Sequence, residues 1–306
     1  MKAPISVIVT AYRRIDQTIT TLGRILRSDP APSEVIVHID GNQSETLERL
    51  RSEFPQVKYL FSTENQGPGG GRNLLIKAAT HEMVASFDDD SYPLDPDYFA
   101  RVIDVSEREP DASIIAAEVV HAGETIPESH DTEEWVSDFI GGGCIYRRSV
   151  FIQTTGYVPL PTAYGMEEVD LALRLHASGK RILKSSQLRV FHDTDLSHHA
   201  APSITAASIR NLALLTFLRY PYRLWALGAA QVLNRLLWLG RHGRWRGILT
   251  GLFSIPQAMF QLRLYIKRLP PGSIRSYLKL RRTSVPVEQN GLELNEETSF
   301  SVDLNQ

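Results

Sequence analysis

The sequence predicts an α/β protein: a mostly parallel sheet flanked by helices, followed by a helical C-terminal region that associates with a membrane. Three observations carry this expectation. Apolar strand runs alternate with helical spacing through the first 110 residues. Each early strand ends in a polar cluster. Charge is segregated: residues 1–195 hold 19 Lys and Arg against 30 Asp and Glu, and residues 196–287 hold 14 Lys and Arg with no acid. The last block, 288–306, holds five acids and no Lys or Arg, so the net charge of −2 conceals three regions of opposite sign.

The elements follow in order. Ile5–Ala11 is a near-continuous apolar strand, and Ile15, Ile19, Leu22, Ile25 and Leu26 then recur at helical spacing. Val35–Ile39 is a second buried strand, followed by a polar helix near Glu45–Glu53. Val57–Phe61 is a third strand, Arg72–Ala79 a helix start and Met83–Phe87 a fourth strand. Pro96 opens a helix to about Glu109 with Asp95 as N-cap, and Ser113–Val120 is a fifth strand. Such alternation places parallel strands between two helical layers. Residues 121–136 read as loop. Gly141-Gly142-Gly143 stands in an apolar context, which suggests close approach of backbone to a ligand. Ser149 caps a short helix that Gly156 ends. Glu167–Ser178 is amphipathic with Gly179 behind it, and Leu188–Phe191 is a last strand ending at His192. The expected catalytic domain is 1–195.

The remainder differs in kind. One cysteine, Cys144, excludes an intramolecular disulfide, and the apolar start before Tyr12-Arg13-Arg14 is too short for a signal-peptide core. From about 200 to 268 the chain is helical and apolar. Its longest uncharged runs, Gly247–Leu262 and Leu224–Asn234, are sixteen and eleven residues, short of the ~20 that span a bilayer. Arginines interleave with Trp225, Trp238, Trp245 and Tyr220. That pattern describes helices lying in an anionic membrane interface, at the cytoplasmic face of the cell membrane, peripheral or monotopic. The apolar content argues against nucleic acid as the partner. Residues 288–306 are expected to be a disordered acidic tail.

The chemistry sits at the strand ends: Thr10-Ala11-Tyr12, Asp40-Gly41-Asn42, Asn65 through Asn73 with its glycine run, and Asp88-Asp89-Asp90. Three adjacent carboxylates repel one another unless they are solvated or a cation neutralises them. In a parallel sheet these clusters gather at the carboxyl edge, where open α/β sheets bind ligands. The residues alone leave plainer readings open: an acidic turn before Pro93, an Asx-turn at Asp40-Gly41, and a flexible glycine loop with a surface Arg72. First-turn acids in the 167–178 helix could equally complement its dipole.

Together with Gly142 through Ser149, Tyr164 through Arg174 and Val190-Phe191-His192, these segments resemble the nucleotide-sugar-binding half of family 2 glycosyltransferases, over about residues 4–195. The resemblance implies a GT-A-like fold and inverting transfer assisted by Mn2+ or Mg2+. The donor would be UDP-, dTDP- or GDP-linked and the acceptor a lipid-linked or cell-surface glycan. It implies Asp90 as a direct metal ligand with His192, and Asp88 as a ribose or metal contact. Asp89, Thr10, Asn65, Gly67 and Arg72 would belong to the nucleotide-sugar site. Asp40 would accept the N–H of a uracil or thymine ring, with Tyr12 packed on the base. Glu167-Glu168 matches the family's Glu-Asp motif, with Glu in the second place. Glu168 is the expected base, with Glu167 and Asp170 as rivals, while Trp135, Gly142 and Gly143 would line the acceptor pocket. A nucleotidyltransferase is disfavoured because no glycine follows the first strand, and the intact acids argue against an inactive scaffold. The sequence carries no signature of the sugar or of the oligomeric state.

Overall fold

A computed structural model describes residues 2–128, 130–160, 166–194 and 201–287. The expected acidic tail, together with Tyr164, Gly165 and Asp195, lies outside the described residues. Four parallel strands form one half of the sheet: β1 (Ala3–Ala11), β2 (Pro32–Ile39), β3 (Lys58–Phe61) and β4 (Met83–Asp88), in the order β3-β2-β1-β4. Helices α1 (Ile15–Leu26), α2 (Ser44–Glu53) and α3 (Gly67–Ala78) connect them. β1 is apolar on both faces because each is covered: Ile5, Val7 and Val9 face one core and Ile8 the other.

The second half is mixed, where the sequence reads as mostly parallel. It comprises β5 (Ser91–Pro93), α4 (Tyr98–Arg108), β6 (Ala112–His121), β7 (Glu133–Val136), β8 (Gly143–Arg147), α5 (Arg148–Ile152), α6 (Glu167–Ala177) and β9 (Arg181–His192). β8 runs antiparallel between β4 and β6, β6 is parallel to β9, and β5 and β7 are antiparallel to β9. β7 and β8 therefore both run opposite to β6, and the segment 137–142 between them carries the chain back to the cleft end of the sheet.

Three local expectations change for tertiary reasons. The glycine run belongs to α3 rather than to a loop. Asp95 does not cap α4 through its carboxylate, which instead binds Arg189, Nε at 3.0 Å and Nη2 alongside. β7 forms within the segment read as loop, because its Trp135 finds a partner in Leu183 of β9.

The basic segment folds into α7 (Pro202–Arg219), α8 (Trp225–Arg241), α9 (Ile248–Gln261) and α10 (Pro271–Leu280). It returns to the catalytic sheet through β10 (Val285–Pro286), which pairs with β7. No helix among the described residues is long and apolar enough to cross a membrane. α7 is tied to α6 by a buried ion cluster. Asp170 accepts from Arg174 Nε at 2.9 Å and from Arg219 Nη2 at 3.1 Å and Nε. The three residues are 4, 7 and 2 % exposed. Asp170 is therefore a structural anchor with both oxygens occupied, and the expectation of it as a rival base is corrected. Removing the shared acid leaves two buried guanidinium groups without a counter-charge, so Asp170→Ala should destabilise the fold by about 3–5 kcal/mol. Urea denaturation checks this, and a loss below about 1 kcal/mol would contradict the anchoring role.

Candidate active site

A cleft of about 940 Å³ opens at the carboxyl edge of the parallel strands. The parallel register sets its floor: Thr10 lies opposite His38 on one side and Asp88 on the other. Asp40, Asp88, Asp89, Asp90, Glu167, Glu168 and His192 all line it.

Asp40 stitches the end of β2 to the start of α3. Its carboxylate accepts the backbone N–H groups of Gln66 at 2.8 Å and Gly67 at 2.9 Å, and Asn65 Oδ1 accepts the latter at 2.8 Å. Gly67 has φ +69°, a conformation that costs glycine little. Gly69 offers its N–H to Glu167. A Cβ on Gly69 would lie 2.4 Å from Glu167 Oε2, so the glycine lets that carboxylate approach. The first N–H groups of α3 are thus taken by protein carboxylates.

Arg72 is not a surface residue. It is 2 % exposed, donates to Ser86 Oγ at 3.2 Å and to Asp88, and stands 3.5 Å from Glu167. Its charge acts on the cleft through those two acids. Asp88 Oδ1 also accepts from Thr10 Oγ1 at 3.0 Å. Its Oδ2 lies against Gly142, where a Cβ would come within 2.3 Å. The glycine segment is pinned to β4: Ser86 donates to the Gly141 carbonyl and Ser91 to that of Gly142, both at 2.7 Å.

The acidic triplet divides its work. Asp89 turns back to accept the Tyr12 N–H at 3.0 Å and stands 3.5 Å from Arg14. Burial outweighs these partners and pushes its carboxyl up to about 7. Asp90 binds Arg14 with one oxygen and His192 Nε2, at 3.1 Å, with the other. Burial alone would raise the Asp90 carboxyl, but the His192 hydrogen bond and the His192 and Arg14 charges hold it below its ordinary value. Burial works against the charged His192, yet Asp90 and Asp88 raise its pKa. Tyr12, 38 % exposed, stands at the rim with Arg13 4.9 Å from its ring centroid.

Glu167 and Glu168 open α6 and face different surroundings. Glu167 is buried, and burial, then repulsion from Glu168, pushes it up to about 8 against the pull of Arg72. Glu168 is half-buried beside Gly141; burial raises it too, opposed by Arg72 and by backbone N–H groups.

Two expected acceptor residues lie elsewhere. Trp135 packs in the core with Arg181 stacked 3.9 Å from its centroid. Gly143 starts β8 beneath Val119, which a Cβ would meet at 2.6 Å. Gly142 does line the cleft, with Phe139, Ile140 and Gly141. Cys144 is buried and its thiol is pushed up to about 12, which leaves it inert. Sequence reasoning missed Arg14, whose only signal is a basic residue just after a strand end. It also missed Arg281, which enters the cleft from beyond α10.

Asp90 and His192 carry donor types, a carboxylate and an imidazole, that suit a divalent cation such as Mn2+ or Mg2+; their facing atoms bond each other at 3.1 Å, and an ion held there would replace that contact. Among the described residues no three His, Cys, Asp or Glu side chains form a preassembled cluster, so these two would hold an ion whose other ligands come from elsewhere.

Residues 6–157 match the sequence profile of glycosyl transferase family 2. The chain belongs to that family. A glucosyl-dolichyl phosphate glucuronosyltransferase of Haloferax volcanii is 25 % identical over 216 residues, covering 61 % of this chain and 68 % of that protein. An uncharacterised glycosyltransferase of Rickettsia bellii is 33 % identical over 90 residues, 29 % of this chain and 13 % of that one. Among solved structures, S. aureus TarS 1–349 with UDP-GlcNAc aligns over 92 % of this chain and 91 % of that one, at 20 % identity and TM-score 0.55. GalNAc-T7 with UDP, GalNAc and Mn2+ aligns over 71 % of this chain and 48 % of that one, at 13 % identity and TM-score 0.56. The glycosyltransferase thus shares their mixed, helix-flanked α/β fold.

The Glu167 geometry fixes a pH dependence. The folded enzyme keeps this proton to about pH 8, whereas an unfolded glutamate loses it near 4.5. Unfolding therefore releases a proton between those values, and stability falls as pH rises through the window. Glu167→Gln carries no charge at any pH. Its stability relative to the parent should climb by on the order of 1 kcal/mol per pH unit from about pH 5 to 8. Denaturation at a series of pH values measures this, and a constant difference across the range would refute it.

Proposed function

We propose that the enzyme transfers a sugar, with inversion at the anomeric carbon, from a nucleotide-diphosphate sugar to a lipid-linked or cell-surface glycan acceptor. We infer that it uses Mn2+ or Mg2+ and works at the cytoplasmic face of the cell membrane, as a peripheral or monotopic protein. The observation that carries this reading is the convergence of Asp40, Asp88, Asp90, Glu168 and His192 on one cleft. The Haloferax relative supports a lipid-linked acceptor, the GalNAc-T7 neighbour a UDP donor and a divalent ion, and the acid-free basic segment an anionic surface.

A divalent ion bound at Asp90 and His192 would supply positive charge for the departing diphosphate. The remaining roles belong to side chains and backbone. Tyr12 and Asp40 mark the nucleotide end of the cleft. Glu168 lines the cleft, and burial raises its pKa above the ordinary carboxylate value, which makes it a stronger base. It takes the proton of the acceptor hydroxyl as that oxygen attacks the anomeric carbon. The bond from that carbon to the diphosphate oxygen breaks, and its electron pair leaves with the nucleoside diphosphate. Glu167, turned to Arg72 and Gly69, positions the start of α6.

A panel of UDP-, dTDP- and GDP-sugars assayed with Mn2+ tests the reading. Glu168→Gln should lower kcat by about 10²–10⁴ while leaving donor affinity unchanged. Asp90→Ala should remove the cation-stimulated turnover. An Asp90→Ala enzyme that responds to Mn2+ as the parent does would sink the metal assignment, and full activity in Glu168→Gln would sink that of the base.

A further inference from the structure

The C-terminal helices present an apolar stripe that stays exposed among the described residues. One side of α9 lies hard on α7: a Cβ on Gly251 would come within 2.8 Å of the Ala206 carbonyl oxygen, so the two backbones nearly touch. The other side carries Leu249, Phe253 and Phe260, and the following turn carries Leu264. Spaced by four, seven and four residues, they fall on one helical face. They are 67, 79, 67 and 87 % exposed. Large apolar side chains exposed in a row, rather than singly, mark an interaction surface.

The border of the stripe is cationic. Trp245 and Arg246 stand at one end, both exposed; Arg263, 4.0 Å from the Phe260 centroid, and Lys267 stand at the other. Residues 196–287 contain no acid to balance them. A second copy of the same surface would bring like charges together, whereas an anionic lipid surface complements them. The uncharged run through α9 is too short to span a bilayer, which suits a helix lying in the interface.

We propose that this stripe docks the enzyme on an anionic phospholipid bilayer, with Phe253 and Phe260 entering the acyl boundary and Arg246, Arg263 and Lys267 among the headgroups. The proposal rests on the transfer reading above only for where the acceptor is met. α9 packs on α7, and Arg219 of α7 is bound to Asp170 of the catalytic helix, so docking also fixes how the cleft is presented to the bilayer.

Vesicle co-sedimentation of the full chain, without donor or acceptor, tests it. The parent should pellet with phosphatidylglycerol–phosphatidylcholine vesicles, weakly with pure phosphatidylcholine, and less as salt is raised. Phe253→Ser with Phe260→Ser should cut partitioning by on the order of tenfold or more per residue. Both sites are exposed, so the thermal melt should match the parent. Exchanging Arg246, Arg263 and Lys267 for Gln should remove the preference for anionic vesicles. A parent that stays in the supernatant, or a phenylalanine variant that pellets equally, overturns the proposal. So does sedimentation velocity in which those substitutions dissolve a dimer and leave vesicle binding intact. No sugar moves in this assay, so its failure leaves the transfer reading standing, and failed transfer to a soluble acceptor leaves docking untouched.

Discussion

The site depends on crowding five carboxylates into one cleft without letting them repel it open. Asp88, Asp89, Asp90, Glu167 and Glu168 share a rim with few cations, and the fold answers with two guanidinium groups from different elements. Arg72 comes from α3 and is fully enclosed between Asp88 and Glu167. Arg14 comes from the loop after β1 and spans Asp89 and Asp90. A buried arginine is costly unless its partners are aligned, and Ser86 completes the alignment by accepting from Arg72 Nε. Burial first, and like charge after it, still raises the carboxyl groups of Asp89, Glu167 and Glu168. A cleft biased in this way favours any further positive charge that reaches Asp90 and His192.

What the sequence made legible was local. Strand runs closed by Asp40, Asp88–Asp90 and His192 could be read because each of these residues sits directly behind an apolar segment. The illegible parts are those where a distant residue decides. Arg72 reads as a helix-start arginine, and only Asp88, sixteen positions on, shows why it is enclosed. Asp170 reads as a first-turn acid beside Glu167 and Glu168; Arg219, 49 residues away, turns it into an anchor. The glycine run reads as a loop because glycine is a poor helix former, yet the carboxylate of Asp40 accepts the N–H groups at its start and α3 begins there. Trp135 lies in a polar stretch, and nothing local reveals the β9 and β10 neighbours that bury it.

The division into a catalytic part and a basic part, clear in the charge pattern, is weaker in space. β10 adds the end of the basic segment to the catalytic sheet through β7, and α10 packs against α6. Arg281 then reaches the cleft itself, 3.5 Å from Asp138. A segment that contributes a wall residue to the cleft and a buried clamp to α6 is bound to the catalytic part at both places.

The two glutamates that open α6 show how adjacent residues acquire separate roles. Successive positions on a helix diverge by about 100°, so Glu167 and Glu168 cannot face the same surroundings. Glu167 points at the glycine-rich start of α3, where the missing Cβ of Gly69 lets its carboxylate meet a backbone N–H. Anchored there, it fixes the rotation of α6. Asp170, three residues on and so on a neighbouring part of the same face, holds that rotation through Arg174 and Arg219. Glu168 instead accepts backbone N–H groups, that of Gly141 among them, which places its carboxylate beside the glycine segment at the cleft.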